Sequence, residues 1–313
     1  MLIAREIDQI VHDPASIVTL GTFDGIHLGH REIIRRLTTE GKERTLRSVV
    51  ITFDPHPQMV LRPEKAGELK IITTIDEKIE IFQSLGIDVL LIARFDQALA
   101  SKTAEAFVDE ILLRKIGMRK FLIGHDHAFG KNRGGNYQTL IPMSQKFGFE
   151  LERVDVFAKD GVVVNSSLIR KLVMDGDVEN VRLYLQRSYF LSGEVIKGDG
   201  RGRQIGIPTT NLKIDNPQKL LPKKGVYSCR VHVDGKTYNG VTNIGYRPTF
   251  HIHPDGLSVE CHILDFDQEI YGQKIRLEFL RRLRDERKFN SADELVKAIK
   301  NDIQAAVNKG FNY

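Results

Sequence analysis

Ser16–Leu37 reads SIVTLGTFDGIHLGHREIIRRL. Its first part, SIVTLGTF, is a short apolar run that reads as a buried strand. From Gly29 the pattern changes to a helix, with Ile33, Ile34 and Leu37 on one face. HLGH sits where the strand ends and the helix opens. Free backbone N–H groups and the helix dipole meet at such a point and favour an anion. Gly25 and Gly29 let the backbone come close to a ligand. The imidazoles of His27 and His30 can then donate hydrogen bonds to phosphate oxygens, which matters most where those oxygens gain charge during reaction. A zinc site would need a third protein ligand and usually a carboxylate base. Asp24 is close, but no second compact ligand cluster appears, so phosphate is favoured over metal and over histidines that merely cap or pack. The GxxxxGK[ST] loop is absent, as is GxGxxG after this strand.

Outward from that stretch, strands and helices alternate. LRSVVITFD, IDVLLIARF, MRKFLIG and FELERVDVF read as strands; IDEKIEIFQSLG, TAEAFVDEILLRKIG and TLIPMSQKFG read as helices, with Gly86 and Gly117 as stops. Nearly continuous apolar strands between helices predict a Rossmann-like α/β domain, its parallel sheet covered on both faces. Its ligand site is expected at the C-terminal ends of the strands. Beyond Arg187 the rhythm becomes period-two, and Asp234-Gly235 between two such runs signals a hairpin. A small antiparallel β-barrel follows from several short strands with glycine-rich turns. One helix closes the chain, with Ser291 and Glu294 as a capping box and Leu295, Ile299 and Ile303 as its stripe. The boundary falls near 183–190, giving domains of 1–185 and 186–313.

The chain has 313 residues, 41% hydrophobic and 28% charged, enough for two cores. No run has the length of a membrane span, and the N-terminus lacks a signal-peptide layout, so a cytoplasmic location is expected. Cys229 and Cys261 sit in strand-like alternation and read as packing. A net charge of +5 with mostly dispersed basic residues suits anionic small molecules. Gly198–Leu212, GDGRGRQIGIPTTNL, fits both a phosphate cradle and a basic surface turn. In LSVECHILDF the alternation puts Val259, Cys261 and Ile263 on a packed face and Glu260 with His262 on the other. Pattern alone makes Glu260 a solvent-facing glutamate on an edge strand.

GTFDGIHLGH resembles the first motif of the nucleotidylyltransferase superfamily. TFDPHP (52–57) matches a second, GHDHAFGKNRGG (124–135) a looser third, and VNSSLIR (164–170) a fourth, a serine-rich loop ending in Ile-Arg. Together with the later half they resemble the bifunctional bacterial riboflavin kinase/FMN adenylyltransferase family over nearly the whole chain. The resemblance implies adenylylation of FMN by ATP in the first half. Gly21, Phe23, Gly25, His27, His30, His56, Ser166, Ser167 and Arg170 would then lie at the ATP phosphates, and Asp126 at the flavin or ribityl side. His127 stands where the family usually has an aromatic residue, Asn165 where serine is common and Leu168 where arginine is common.

The second half is similar to riboflavin kinases through GIPTTN, with Ile207 for phenylalanine and Thr210 for alanine. The resemblance implies that Gly200, Arg201, Gly206, Thr209 and Asn211 hold the nucleotide, with Thr209 and Asn211 on Mg²⁺. It makes Glu260 the base for the ribityl hydroxyl. It places Arg284, Glu286 and Phe289 of RDERKF at the flavin. For Phe289, simple packing at the helix start fits equally well.

Three rivals fare worse. An aminoacyl-tRNA synthetase would need a KMSKS-like loop, for which PMSQK (142–146) is a superficial match inside a helical stretch. A nucleotidylyltransferase for another substrate would not need GIPTTN or the barrel. An RNA-binding barrel would need clustered exposed aromatics, so no nucleic-acid or membrane partner is expected. ATP, riboflavin, FMN and FAD are the expected small-molecule partners.

Overall fold

The structure, a computed structural model, describes every residue except Asp126, Val156, Asp160, Asp199, Arg201, Arg203, Gln204 and the stretches 247–255 and 310–313. Asp126 and Arg201, both expected at ligands, therefore lie outside the described residues. The chain divides into two compact units, Met1–Ser166 and Ser167–Tyr313.

In the first unit six parallel strands form one sheet: β1 (Leu2–Ala4), β2 (Ser16–Leu20), β3 (Arg47–Asp54), β4 (Val89–Arg94), β5 (Met118–Gly124) and β6 (Glu150–Val154), in the order β1-β4-β3-β2-β5-β6. Period-two alternation sends Ile17, Val50, Leu90 and Leu122 to one face. There they meet Ile34 and Leu37 of α1 (Leu28–Glu43). The short α2 (Pro57–Leu61) follows β3. Ile81 and Phe82 of α3 (Ile75–Ser84) complete that first face. Val18, Leu20, Val49, Ile51 and Leu91 face the other way. After α4 (Gln97–Ser101), that face is covered by α5, whose first turn Ala104–Ala106 continues as a π-helix over Phe107–Ile116. Leu140 of α6 (Tyr137–Phe147) joins it. Both faces are thus covered, as a parallel sheet requires.

The N-terminal stretch had no element assigned from sequence, yet Leu2–Ala4 pairs in parallel with Val89–Leu91 as the sheet's edge. Only Ala4 of the three is buried, so the segment carries almost no apolar periodicity. A two-residue hairpin, β7 (Ala158–Lys159) with β8 (Val162–Val163), precedes the fourth motif. VNSSLIR, expected as a loop, instead opens α7 (Ser166–Asp175), and α8 (Val178–Leu185) follows.

The second unit also holds a closed antiparallel barrel of β9 (Tyr189–Ile196), β10 (Thr210–Ile214), β11 (Gly225–Val233), β12 (Lys236–Tyr246), β13 (Leu257–Ile263) and β14 (Lys274–Arg284), ordered β10-β13-β12-β11-β14-β9. Asp234 and Gly235 turn β11 into β12 with φ of 45° and 72°, the left-handed pair that a tight hairpin uses. Leu191, Cys229, Val231, Ile244, Val259, Cys261 and Leu277 are fully buried. Both cysteines are free thiols; burial pushes Cys261 up to about 12 and Cys229 well above the usual range, so both pack and neither is poised to react. The closing helix, α9 (Ala292–Lys309), begins with Glu294 N donating to Ser291 Oγ at 3.2 Å. The Glu294 carboxylate accepts from Asn290 N at 3.1 Å, so its half of the expected box is shifted by one residue.

Gly117 ends the π-helical stretch with φ of 83°, and a Cβ there would lie 2.3 Å from Asp13 O. Gly117→Ala should therefore destabilise the first unit by roughly 2 kcal/mol or more. Denaturant unfolding checks this; an unshifted midpoint contradicts the close packing at that turn.

Candidate functional site

The C-terminal end of β2 leads into a loop that carries GTFDG and then into α1. Phe23 and Ile26 have φ of 46° and 43° and Gly25 has 92°, so three of four consecutive residues are left-handed. Such a loop persists only if its surroundings hold it. Asp24, 1% exposed, does so with Oδ1, which accepts from Ile72 N at 2.9 Å and Thr73 N at 3.0 Å. Gly25 N donates back to Thr73 Oγ1 at 3.0 Å. Ser166 Oγ donates to Asp24 O at 2.8 Å and Lys78 Nζ to Thr22 O at 2.6 Å. The Asp24 carboxylate is therefore a backbone anchor, which removes the nearest candidate base for a zinc site.

On this loop His27 is the N-cap residue of α1, and its side chain makes no capping bond. Its ring stacks on that of His30, centroids 3.8 Å apart and planes 24° apart. Phe23, buried in the core, meets His30 edge-on at 5.2 Å and Phe82 at 5.5 Å. It thus braces His30 from below. Gly21 packs against Phe23: a Cβ there would sit 3.3 Å from its ring. A Cβ on Gly29 would come 3.3 Å from the His27 ring. Burial first, then the charges of His27, Lys78 and His127, hold His30 well below its usual 6.5. His127 is pushed down to about 4 by burial and by Arg133, and its ring lies 5.8 Å from that of Phe129. The site offers two stacked imidazoles at a helix N-terminus, a geometry for phosphate oxygens.

His56 follows β3, the strand beside β2, so it stands at the same end of the sheet. Its Nδ1 accepts from Gln58 N at 3.2 Å, which leaves the proton on Nε2. Ser166 and Ser167 start α7, with Arg170 one turn on and half-buried. Lys78 carried no signal in sequence, since a lysine inside an amphipathic helix reads as solvated. It is 5% exposed, with burial lowering its ammonium against the pull of Asp24 and Asp54.

In the second unit, Glu260 of β13 pairs with Asn211 of β10 on one side and Asn243 of β12 on the other. Residues in register share a face of the sheet, so the three form one row. Val259, Cys261 and Ile263 are buried, as the alternation required. Glu260 lines a cavity of about 490 Å³ together with Thr209, Asn243, Arg284, Glu286 and Phe289. Its Oε1 accepts from Ser258 Oγ at 3.4 Å. A second cavity, about 470 Å³, is lined by Thr209, Thr210, Phe266, Glu269 and Tyr271 among others. Thr209 belongs to both. Asn211, 5% exposed, lies against Gly198, where a Cβ would be 2.1 Å from its amide nitrogen. Gly200 and Gly206 have φ of 70° and 74° and line neither cavity. Ile207 N donates to Gly202 O at 2.8 Å, folding the loop back on itself. His262 Nδ1 donates to Pro208 O at 2.7 Å and ties the Pro208–Asn211 segment to the strand of Glu260.

Of the predicted flavin residues, Arg284 is tied to α9. Arg284 donates to Asp302 through Nε and Nη2, each at 2.8 Å. Its guanidinium lies 5.7 Å from the Phe289 ring, and that of Arg287 lies 4.8 Å from it. Phe289 is half-buried and lines the cavity. Glu286 lies against Gly245, where a Cβ would be 1.9 Å from its Oε1. Asn243 and His262 were missed as site residues; only the register and the cavity single them out.

Comparison with known proteins agrees with this division. The FAD synthetase family model matches residues 9–168 and the riboflavin kinase model residues 185–309. A bifunctional riboflavin kinase/FMN adenylyltransferase from Bacillus subtilis is 37% identical over 93% of this chain and 92% of its own. The Escherichia coli K12 protein of the same name is 32% identical over 96% of each chain. A solved structure named as a macrolide-efflux protein from Streptococcus pneumoniae superposes with a TM-score of 0.88 at 29% identity, over 98% of both chains. Among the described residues no helix is long and apolar enough to cross a membrane.

The depressed His30 value gives a pH test. A bound anion raises it, so binding takes up a proton between the free and bound values. Affinity should fall as pH rises through that window and level off above it. Calorimetry with inorganic pyrophosphate at about pH 6, in two buffers of different ionisation enthalpy, measures the uptake. Equal heats in both buffers would contradict proton uptake at His30 on binding.

Proposed function

The chain belongs to the bifunctional riboflavin kinase/FMN adenylyltransferase family, and from that we propose how its two halves divide the work. Residues 186–313 phosphorylate riboflavin with ATP to FMN. Residues 1–185 adenylylate FMN with a second ATP to FAD and pyrophosphate. Both run as steps of cytoplasmic flavin cofactor synthesis.

In the adenylylating half a phosphate oxygen of FMN attacks the α-phosphorus of ATP, and the bond to pyrophosphate breaks. No covalent enzyme intermediate is needed, so the residues position and stabilise charge. His27 and His30 donate to the α-phosphate and to the departing pyrophosphate. The carrying observation is their stacked pair at the start of α1, held by a loop that Asp24 and Phe23 fix from beneath. His56, through Nε2–H, joins the same phosphates, and Ser166, Ser167 and Arg170 hold the β- and γ-phosphates. Arg170 suits this through its planar fork of donors. Asp126 contacts the flavin side.

In the kinase half the ribityl 5′-hydroxyl attacks the γ-phosphorus of ATP while Glu260 accepts its proton, and the bond to the departing ADP breaks. The Asn211–Glu260–Asn243 row beside the larger cavity supports this. Riboflavin fits that cavity, with Phe289 against its ring and Arg284 and Glu286 at its rim. ATP fits the second cavity, and its phosphates reach the first past Thr209, which lines both. Gly200, Arg201 and Gly206 belong to the loop over the phosphates. Mg²⁺ suits Thr209 and Asn211, whose hydroxyl and amide oxygens are hard donors. When bound it would neutralise charge on the phosphate oxygens.

Glu260→Ala should stop FMN formation by a factor of roughly 100 or more while added FMN still becomes FAD. His30→Ala should do the reverse, so that FMN accumulates from riboflavin. Chromatography of the flavins after each incubation checks both. Loss of both activities in either folded variant would mean that the sites are not separate.

A further inference from the structure

The adenylylating site contains a contradiction that Lys78 resolves. Asp24 is a buried carboxyl group that holds the loop, yet it lies at the loop that receives a polyphosphate. A carboxylate there repels that anion, and in a poorly screened interior the repulsion is strong. Lys78 is the buried cation on α3 that interacts with Asp24 and with Asp54. It is 5% exposed. Among the described residues its ammonium makes one hydrogen bond, to Thr22 O at 2.6 Å, two residues before Asp24. It also lies close enough to His30 to act on that ring's charge.

We infer that Lys78 is a positioning residue for adenylylation: its ammonium cancels the charge of Asp24 and fixes the loop through Thr22, so that an anion can settle on His27 and His30. The inference rests on the phosphate reading of those histidines. Lys78 itself touches no substrate.

Three variants separate charge from tether. Lys78→Gln keeps a donor for Thr22 and removes the charge. Lys78→Arg keeps both. Asp24→Asn/Lys78→Gln keeps the acceptor for Ile72 and Thr73 and removes both charges. Steady-state FMN-to-FAD kinetics should show the ATP KM of Lys78→Gln raised about tenfold or more, that of Lys78→Arg near the parent, and that of the double variant largely restored. A merely structural lysine predicts no restoration. An unchanged KM in Lys78→Gln, or a double variant no better than the single, overturns the inference. Riboflavin kinase activity should be unaltered in all three.

If Lys78→Gln does not fold, Asp24→Asn alone decides. It frees the Lys78 charge and should lower the ATP KM; an equal or higher KM counts against the pairing. His30→Ala is run alongside. If it adenylylates FMN normally, the phosphate reading falls and this inference with it. If it is inactive while Lys78→Gln is normal, only the role of Lys78 falls.

Discussion

One buried carboxylate organises the first half of the molecule. Asp24 Oδ1 receives two backbone amides from Ile72–Thr73, and its own carbonyl receives Ser166. Those contacts hold a loop with three left-handed residues, two of them not glycine. Left-handed backbone at a residue with a Cβ costs of order 1–3 kcal/mol, so the loop needs such an anchor. The result is a helix start on which two stacked imidazoles stand without capping the helix themselves. The proposed phosphate chemistry draws on this: the imidazoles are pre-placed and His30 is backed by an aromatic core residue.

The barrel solves a related problem with strand register. An antiparallel ladder sets residues of neighbouring strands side by side, so Asn211, Glu260 and Asn243 need no loop to bring them together. The Arg284–Asp302 pair then holds α9 at the cavity that Phe289 lines. The proposed kinase residues thus sit on neighbouring strands of one ladder.

Sequence showed the fold through periodicity. Continuous apolar runs marked the parallel sheet, alternation marked the barrel, and Asp234-Gly235 marked its hairpin. The edge strand Leu2–Ala4 was invisible because two of its three residues face solvent. The helix from Ser166 was hidden behind serines that read as a loop. At the sites, residue chemistry was legible where a glycine-flanked turn exposed it, as at His27 and His30. Glu260 was assigned to the correct face by alternation, but only resemblance made it a base. Lys78, Asn243 and His262 escaped because their significance comes from distant partners: a carbonyl on another element, a neighbouring strand, and the Pro208 carbonyl.

The two activities require one chain to direct attack at two different phosphorus atoms of ATP. Isotopic labelling tests it directly. Riboflavin incubated with ATP labelled at the γ-phosphorus should give labelled FMN and then FAD carrying that label. With ATP labelled at the α-phosphorus, label should enter FAD and never FMN. Label from the α-position in FMN, or FAD formed from FMN without α-label, would contradict the assignment of the two sites.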